Sequence, residues 1–213
     1  MNERTIHFTL KNIILYFLGV FILALGATIS VSSHLGAGPW DTVSKNLSYL
    51  LGTELGYASG AISTILMLIV ITYTKNWRLF GMILPIIFVS GAILMWDYTI
   101  FNHFTPETWV LRGIFYTIGV LLIPLGLSLI ITSNFPAFVF DELMIMFMNI
   151  FKTDNVIWIR VGIELLGITL GTFIGFQAGV RFGAVGPGSI VMAAMIGPLI
   201  GFYLKALKRY QDE

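Results

Sequence analysis

A chain of 213 residues that is 57% hydrophobic and only 11% charged falls well short of the ~25% charge that covers a soluble domain. Its formal net charge of +1 gives no field that would attract nucleic acid or an acidic partner, and the absence of cysteine excludes disulfides and thiolate metal sites. His7, His34 and His103 have no ligand-like spacing, so neither a metal nor a cofactor is expected.

Apolar runs of ~20 residues are long enough to cross a ~30 Å hydrocarbon core. The first covers 12–32 and follows Arg4 and Lys11. It exceeds the apolar region of a signal peptide and more runs follow, so it reads as an uncleaved span. Next comes SHLGAGPWDTVSKNLSYLLG, residues 33–52, in which a Gly-rich turn leads to Pro39 and Asp41 at a helix start. Pro39–Leu51 reaches only about 20 Å at 1.5 Å per residue, too short to span. Spans at 57–74 and 79–96 complete the first half, residues 1–108. The second half, 109–213, repeats the order: a span at 109–132, a short helix at 135–151, and spans at 156–175 and 184–204.

The halves also match residue by residue. Aligned without gaps at a separation of 100, Tyr16, Gly19, Val20, Leu25, Gly26, Ser33, Ala37 and Asp41 meet Tyr116, Gly119, Val120, Leu125, Gly126, Ser133, Ala137 and Asp141. Internal repeats of this kind mark many transporter folds. Three spans per half invert the second half relative to the first. The expected fold is an all-α membrane protein with six transmembrane helices in two inverted repeats, each with a short re-entrant or broken helix. With both termini cytoplasmic, Arg4, Lys11, Lys75, Arg78, Lys152, Lys205, Lys208 and Arg209 collect inside, while Lys45, Arg112 and Arg181 stay outside. Treating the short helices as full spans would put Lys45 in hydrocarbon, at ~2.5–3.5 kcal/mol near mid-bilayer.

The GAGPWD element, the Asp-bearing repeat and the closing GPLIGFYLK resemble the YitT/YczE/YyaS group of bacterial membrane proteins. The resemblance covers most of the chain and implies a multi-span protein of the bacterial plasma membrane. It supplies no substrate, and the second copy lacks the Gly-Pro-Trp element before Asp141.

The candidate site residues follow from where charge falls among apolar residues. Gly36, Gly38 and Pro39 form a turn that starts a helix, with Gly38 as cap and Pro39 first, where its missing N–H costs nothing. Asp41 then sits at the positive dipole end. It is either the cap of an interfacial helix, paired with Lys45, or a cavity-lining acid beside Trp40. Asp141 and Glu142 lie in a very apolar stretch, where carboxyls must be protonated, paired or wet. Arg160 and Glu164 stand one turn apart in the fifth span, either as a structural pair or as an intramembrane site. Ser33 and Ser133 are ligands or caps. Gly167-Gly171-Gly175 and Ala193-Gly197-Gly201 are small-residue stripes suited to close helix packing. The 183–188 stretch should open span six with an irregular turn, and Pro198 should kink it.

No phosphate-cradling loop, dinucleotide fingerprint or nucleophile–histidine pairing is present, so an enzyme is not expected. The pattern favours a secondary transporter for a small solute or ion, with its site at the repeat interface. The alternative is a non-transporting membrane factor that binds another membrane protein, or a second copy of itself, through its glycine faces.

Overall fold

The computed structural model describes residues 9–101, 106–133, 135 and 138–209. Among these, eight α-helices run in order: α1 (Leu10–Ser32), α2 (Pro39–Leu51), α3 (Leu55–Thr74), α4 (Ile83–Trp96), α5 (Trp109–Thr132), α6 (Val139–Phe151), α7 (Val156–Gln177) and α8 (Pro187–Arg209). Six segments are long and apolar enough to cross a membrane. They are α1, α3, α5, α7, most of α8, and a continuous Trp77–Phe101. In that third span, α4 is extended by a 3₁₀ stretch at Trp77–Met82 and a π turn at Asp97–Phe101. Pro85 falls in the first turn of α4, where its missing N–H breaks no ladder bond.

Two expected boundaries move. The second short helix begins at Val139 rather than 135, because Phe138 caps it in an extended conformation; residues 136 and 137 lie outside the described residues. Span six begins at Pro187 rather than 184, since positive φ at Arg181 and Gly183 holds the preceding chain in a turn. Proline then opens the helix, as its fixed φ favours. The remaining spans agree within a few residues, and the two short helices have identical lengths, displaced by 100 residues.

Helices α1 and α5 form the most extensive contact, and glycines decide how closely they approach. A Cβ on Gly19 would lie 2.8 Å from the Gly126 carbonyl, and one on Gly119 would lie 3.0 Å from the Gly26 carbonyl. Position 19 therefore faces 126 and 26 faces 119, so the helices run antiparallel. Adding 100 to one residue of each contact and subtracting it from the other gives the other contact. Both helices end the same way. Ser33 and Ser133 donate from Oγ to the carbonyls of Ser30 and Ile130, each at 2.6 Å, and accept from the N–H of Leu35 and Phe135.

Helix α2 lies parallel to α7 along the first glycine stripe. Cβ atoms on Gly167, Gly171 and Gly175 would press on Pro39, Thr42 and Asn46 in turn. That stripe packs as its spacing indicated. In the second, Gly197 and Gly201 face open space. Helix α6 packs instead on α3 through large side chains, with Val139, Leu143 and Met146 against Leu66, Met67 and Val70. Large apolar residues such as Leu18, Ile69, Ile87, Leu165 and Phe202 remain exposed, as lipid-facing positions require.

The glycine contacts set a direct test. Gly126→Ala pushes a methyl group against backbone atoms of Leu23 and Gly19 at 2.6–2.8 Å, so it should destabilise by about 1–3 kcal/mol. Gly197→Ala meets nothing and should be neutral or slightly stabilising. Thermal unfolding of the two variants in detergent should separate them clearly; matching midpoints would contradict the close α1–α5 approach.

Candidate functional site

The first turns of α2 and α6 open onto one cavity of about 330 Å³, to which each of α1 to α8 contributes. From the start of α2 come Gly38, Pro39, Trp40, Asp41 and Ser44; from the start of α6 come Phe138, Val139, Phe140, Asp141 and Met144. These are the same five positions, 100 residues apart. Helix α3 adds Ser59 and Ser63, whereas α7 adds Arg160 and Glu164. Those pairs also occupy matching places, but 101 residues apart, because the α2–α3 connection is one residue shorter than the α6–α7 connection. The walls are otherwise apolar, with Leu23, Ile93, Ile123 and Ile200 among them.

Local chemistry explains how the acids are held. Gly38 caps α2 without a side chain, and Pro39 follows at the first helical position. A Cβ at Gly38 would come 2.5 Å from Asp41 Oδ2, so glycine there leaves room for the carboxylate to fold back over the helix end. Asp41 is deep in the protein, and the charge of Glu164 reaches it. No hydrogen bond to its carboxylate is found among the described residues. Of the two readings of Asp41, the pair with Lys45 is not seen among the described residues, and Asp41 lines the cavity instead. Lys45 instead lies 4.8 Å over the Tyr49 ring and borders a separate pocket of about 50 Å³ with His34. Burial, then the charges of Arg112 and Lys45, hold the His34 imidazole below its ordinary pKa.

Glu164 is 7% exposed, and Arg160 Nη2 approaches its Oε1 at 3.5 Å. A single contact of that length is a loose pairing rather than a bidentate clamp. Trp40 packs against Phe140 with ring centroids 5.1 Å apart, joining the two short helices across the cavity. Trp40 Nε1 and Arg160 Nε are buried without a hydrogen-bond partner among the described residues. A buried polar atom left without any partner costs ~1–3 kcal/mol, and both residues border the cavity.

The cavity thus gathers Asp41, Asp141, Arg160, Glu164, Trp40, Gly38 and Pro39. Ser33 and Ser133 are caps and do not line it. Gly36 (φ 123°) lies outside it, against Ser189 at the start of α8. Glu142 is not among the lining residues, whereas its neighbour Asp141 is.

Asn46, Phe140, Ser59 and Ser63 are additions to the residues singled out from sequence. Fully buried Asn46 donates to the Gly171 and Phe182 carbonyls at 2.7 and 3.0 Å and accepts from the Ala184 N–H at 2.9 Å. It ties the turn between α7 and α8 to α2. Its signal in the sequence was weak, an amide on an otherwise amphipathic helix. Phe140 is legible only as the counterpart of Trp40.

Fold and site together define a multi-pass α-helical membrane protein with an internal acidic cavity where two short helices meet. The chain belongs to a family of unknown function, DUF6198, whose model matches residues 10–205. It is 30% identical over 193 residues to the uncharacterized membrane protein YczE of Bacillus subtilis (strain 168), covering 89% of this chain and 83% of that one. It is 25% identical over 197 residues to the uncharacterized protein YyaS of the same organism, covering 92% and 93%. An uncharacterized protein of Haemophilus influenzae is 29% identical over 200 residues, covering 93% and 86%. No solved structure gives a significant match.

A loose ion pair with one buried partner and one partly exposed partner has a characteristic mutational signature. Arg160→Met leaves Glu164 uncompensated and should lower stability, by no more than the ~3–5 kcal/mol of a fully buried pair. Adding Glu164→Leu should restore most of the loss. Unfolding midpoints of the single and double variants measure this; a double variant as unstable as the single would show that the pair does not hold the charge.

Proposed function

We propose that the protein is a secondary transporter of a small solute or ion, built from two inverted repeats, with its binding site in the cavity between the short helices. The observation that carries the reading is the convergence of the first turns of α2 and α6, with Asp41, Asp141, Glu164 and Arg160, on one internal space. Transporter sites commonly lie where discontinuous helices from two repeats meet near the midplane. The antiparallel α1–α5 crossing, with its exchanging glycine contacts, and the matched serine caps support a two-fold relation between halves. On this reading the axis passes between α1 and α5, and the short helices enter from opposite sides.

The chemistry suits coupling rather than catalysis. Asp41 and Glu164 repel one another while both are charged, and that repulsion is relieved by a proton or by a bound cation. A site that takes one or the other is the elementary requirement of exchange, and no covalent step is involved. Relatives from two bacteria and the distribution of Lys and Arg support the plasma membrane with both termini cytoplasmic. The alternative of a non-transporting partner protein retains one feature in its favour, the open Gly197–Gly201 face of α8.

Accessibility separates the two. A single cysteine at Ser59 lines the cavity without removing a charge, in a chain that otherwise has none. A membrane-impermeant thiol reagent should label it from outside in whole cells and from inside in inverted vesicles, as alternating access requires. Protection on both sides, with full reactivity after denaturation, would exclude transport and leave the partner reading.

A further inference from the structure

We infer that the cavity accepts a small organic cation, a monovalent ammonium with an apolar body, rather than an inorganic ion or an anion. Translocation of that cation rests on the transporter reading, but its binding stands on the cavity alone.

Charge comes first. Asp41, Asp141, Glu164 and Arg160 line the space, leaving two negative charges when all are ionised. The N-termini of α2 and α6 each supply about half a positive charge, and Asp41 and Asp141 stand in those first turns. The helix ends are thus already answered by their own aspartates, so they hold no surplus for an anion. About one negative charge remains while Asp41 is ionised. Burial, then the charge of Glu164, push its pKa up to about 7, and one positive charge on the occupant both balances the site and favours the ionised form. Asp41 is the natural contact, because its carboxylate borders the cavity and no hydrogen bond from a described residue occupies it.

The walls decide which kind of cation. A divalent ion needs about six to eight oxygen ligands, or an octahedron completed by retained waters. The described residues contain no group of three or more acidic, histidine or cysteine side chains able to hold a metal. The Ser44 hydroxyl donates to the Trp40 carbonyl at 3.1 Å and, with Ser59 and Ser63, adds a few neutral oxygens, but most other wall atoms are aliphatic. Such a lining is poorly matched to the full hydration shell of a small ion. It can bury methyl or ring groups, and the Trp40–Phe140 pair presents aromatic surface to which a positive charge is attracted. At about 330 Å³ the space is at the lower end of small-molecule pockets, and far larger than a bare ion.

The test is calorimetric binding to the full chain in detergent, with benzyltrimethylammonium as probe and neopentylbenzene as its uncharged isostere, in which carbon replaces nitrogen. The cation should bind and the isostere should bind at least about tenfold more weakly. Asp41→Asn should weaken cation binding by a similar factor, whereas Asp97→Asn, outside the cavity, should leave it unchanged. The wild-type comparison of cation with isostere stays decisive if Asp41→Asn does not fold. Equal binding of the two, preference for benzoate, or binding of sodium or magnesium in place of the organic cation would overturn the proposal. Uptake of the probe into proteoliposomes is scored separately. Binding without uptake would count against transport and keep the cation site. Two-sided labelling at position 59 with no cation binding would keep transport and reject the cation.

Discussion

Backbone N–H and C=O groups shut away from water must find a partner inside the protein, and the rest of this structure depends on how the chain meets that demand where its helices break. After α1 the chain leaves helical geometry for six residues before α2 begins. The Ser33 hydroxyl closes the end of α1, the Ala37 N–H donates to Ala184, and the Leu35 carbonyl accepts from Gly188. The turn before α8 is thereby pinned to the turn before α2, and Asn46 fastens the same turn from the side. Tyr116 adds a fourth tie by donating to the Gly188 carbonyl at 2.6 Å. Only with those groups satisfied can a helix begin deep in the protein, and only then can its first turn carry an aspartate into a cavity.

The two halves use the same plan with unequal materials. Position for position, α2 rests on glycines of α7 at 167 and 171, while the matching residues of α3, Leu66 and Val70, meet α6 with full side chains. Close packing leaves α2 backbone against backbone; the α6 side is held by apolar side chains that can be rearranged more easily. The serines of α3 stand where α7 carries Arg160 and Glu164. At these matched positions the second half supplies charge and the first half hydroxyls, while each half adds one aspartate. Under the proposed transport function, matched halves with unequal contents would let one site differ in affinity between two arrangements of the same helices.

The spans were legible because length and apolarity alone define them, and the repeat was legible because α1 to α2 and α5 to α6 are related without a gap. The start of α2 could be read from Gly38, Pro39 and Asp41, since each has a stated preference at a helix end. The correspondence between Ser59, Ser63 and Arg160, Glu164 was hidden by a one-residue difference in a connecting loop, which shifts the register from 100 to 101. Asn46 was hidden for another reason. Its partners are 125 to 138 residues away, and nothing local distinguishes a buried amide from a solvated one. The Asp41–Lys45 spacing left two readings open because a four-residue interval permits a pair without requiring one; the cavity beside Asp41 favours the second.

The central claim is that the first turns of the two short helices meet. Trp40 and Phe140, 5.1 Å apart by ring centroid, make it directly measurable in a chain without cysteine. With cysteines at both positions, a short thiol-reactive crosslinker applied to native membranes should join them within one chain. A protease cut introduced between α4 and α5 would then leave the halves covalently linked. If the halves separate, although both cysteines react after denaturation, the short helices do not converge and the cavity is not the site.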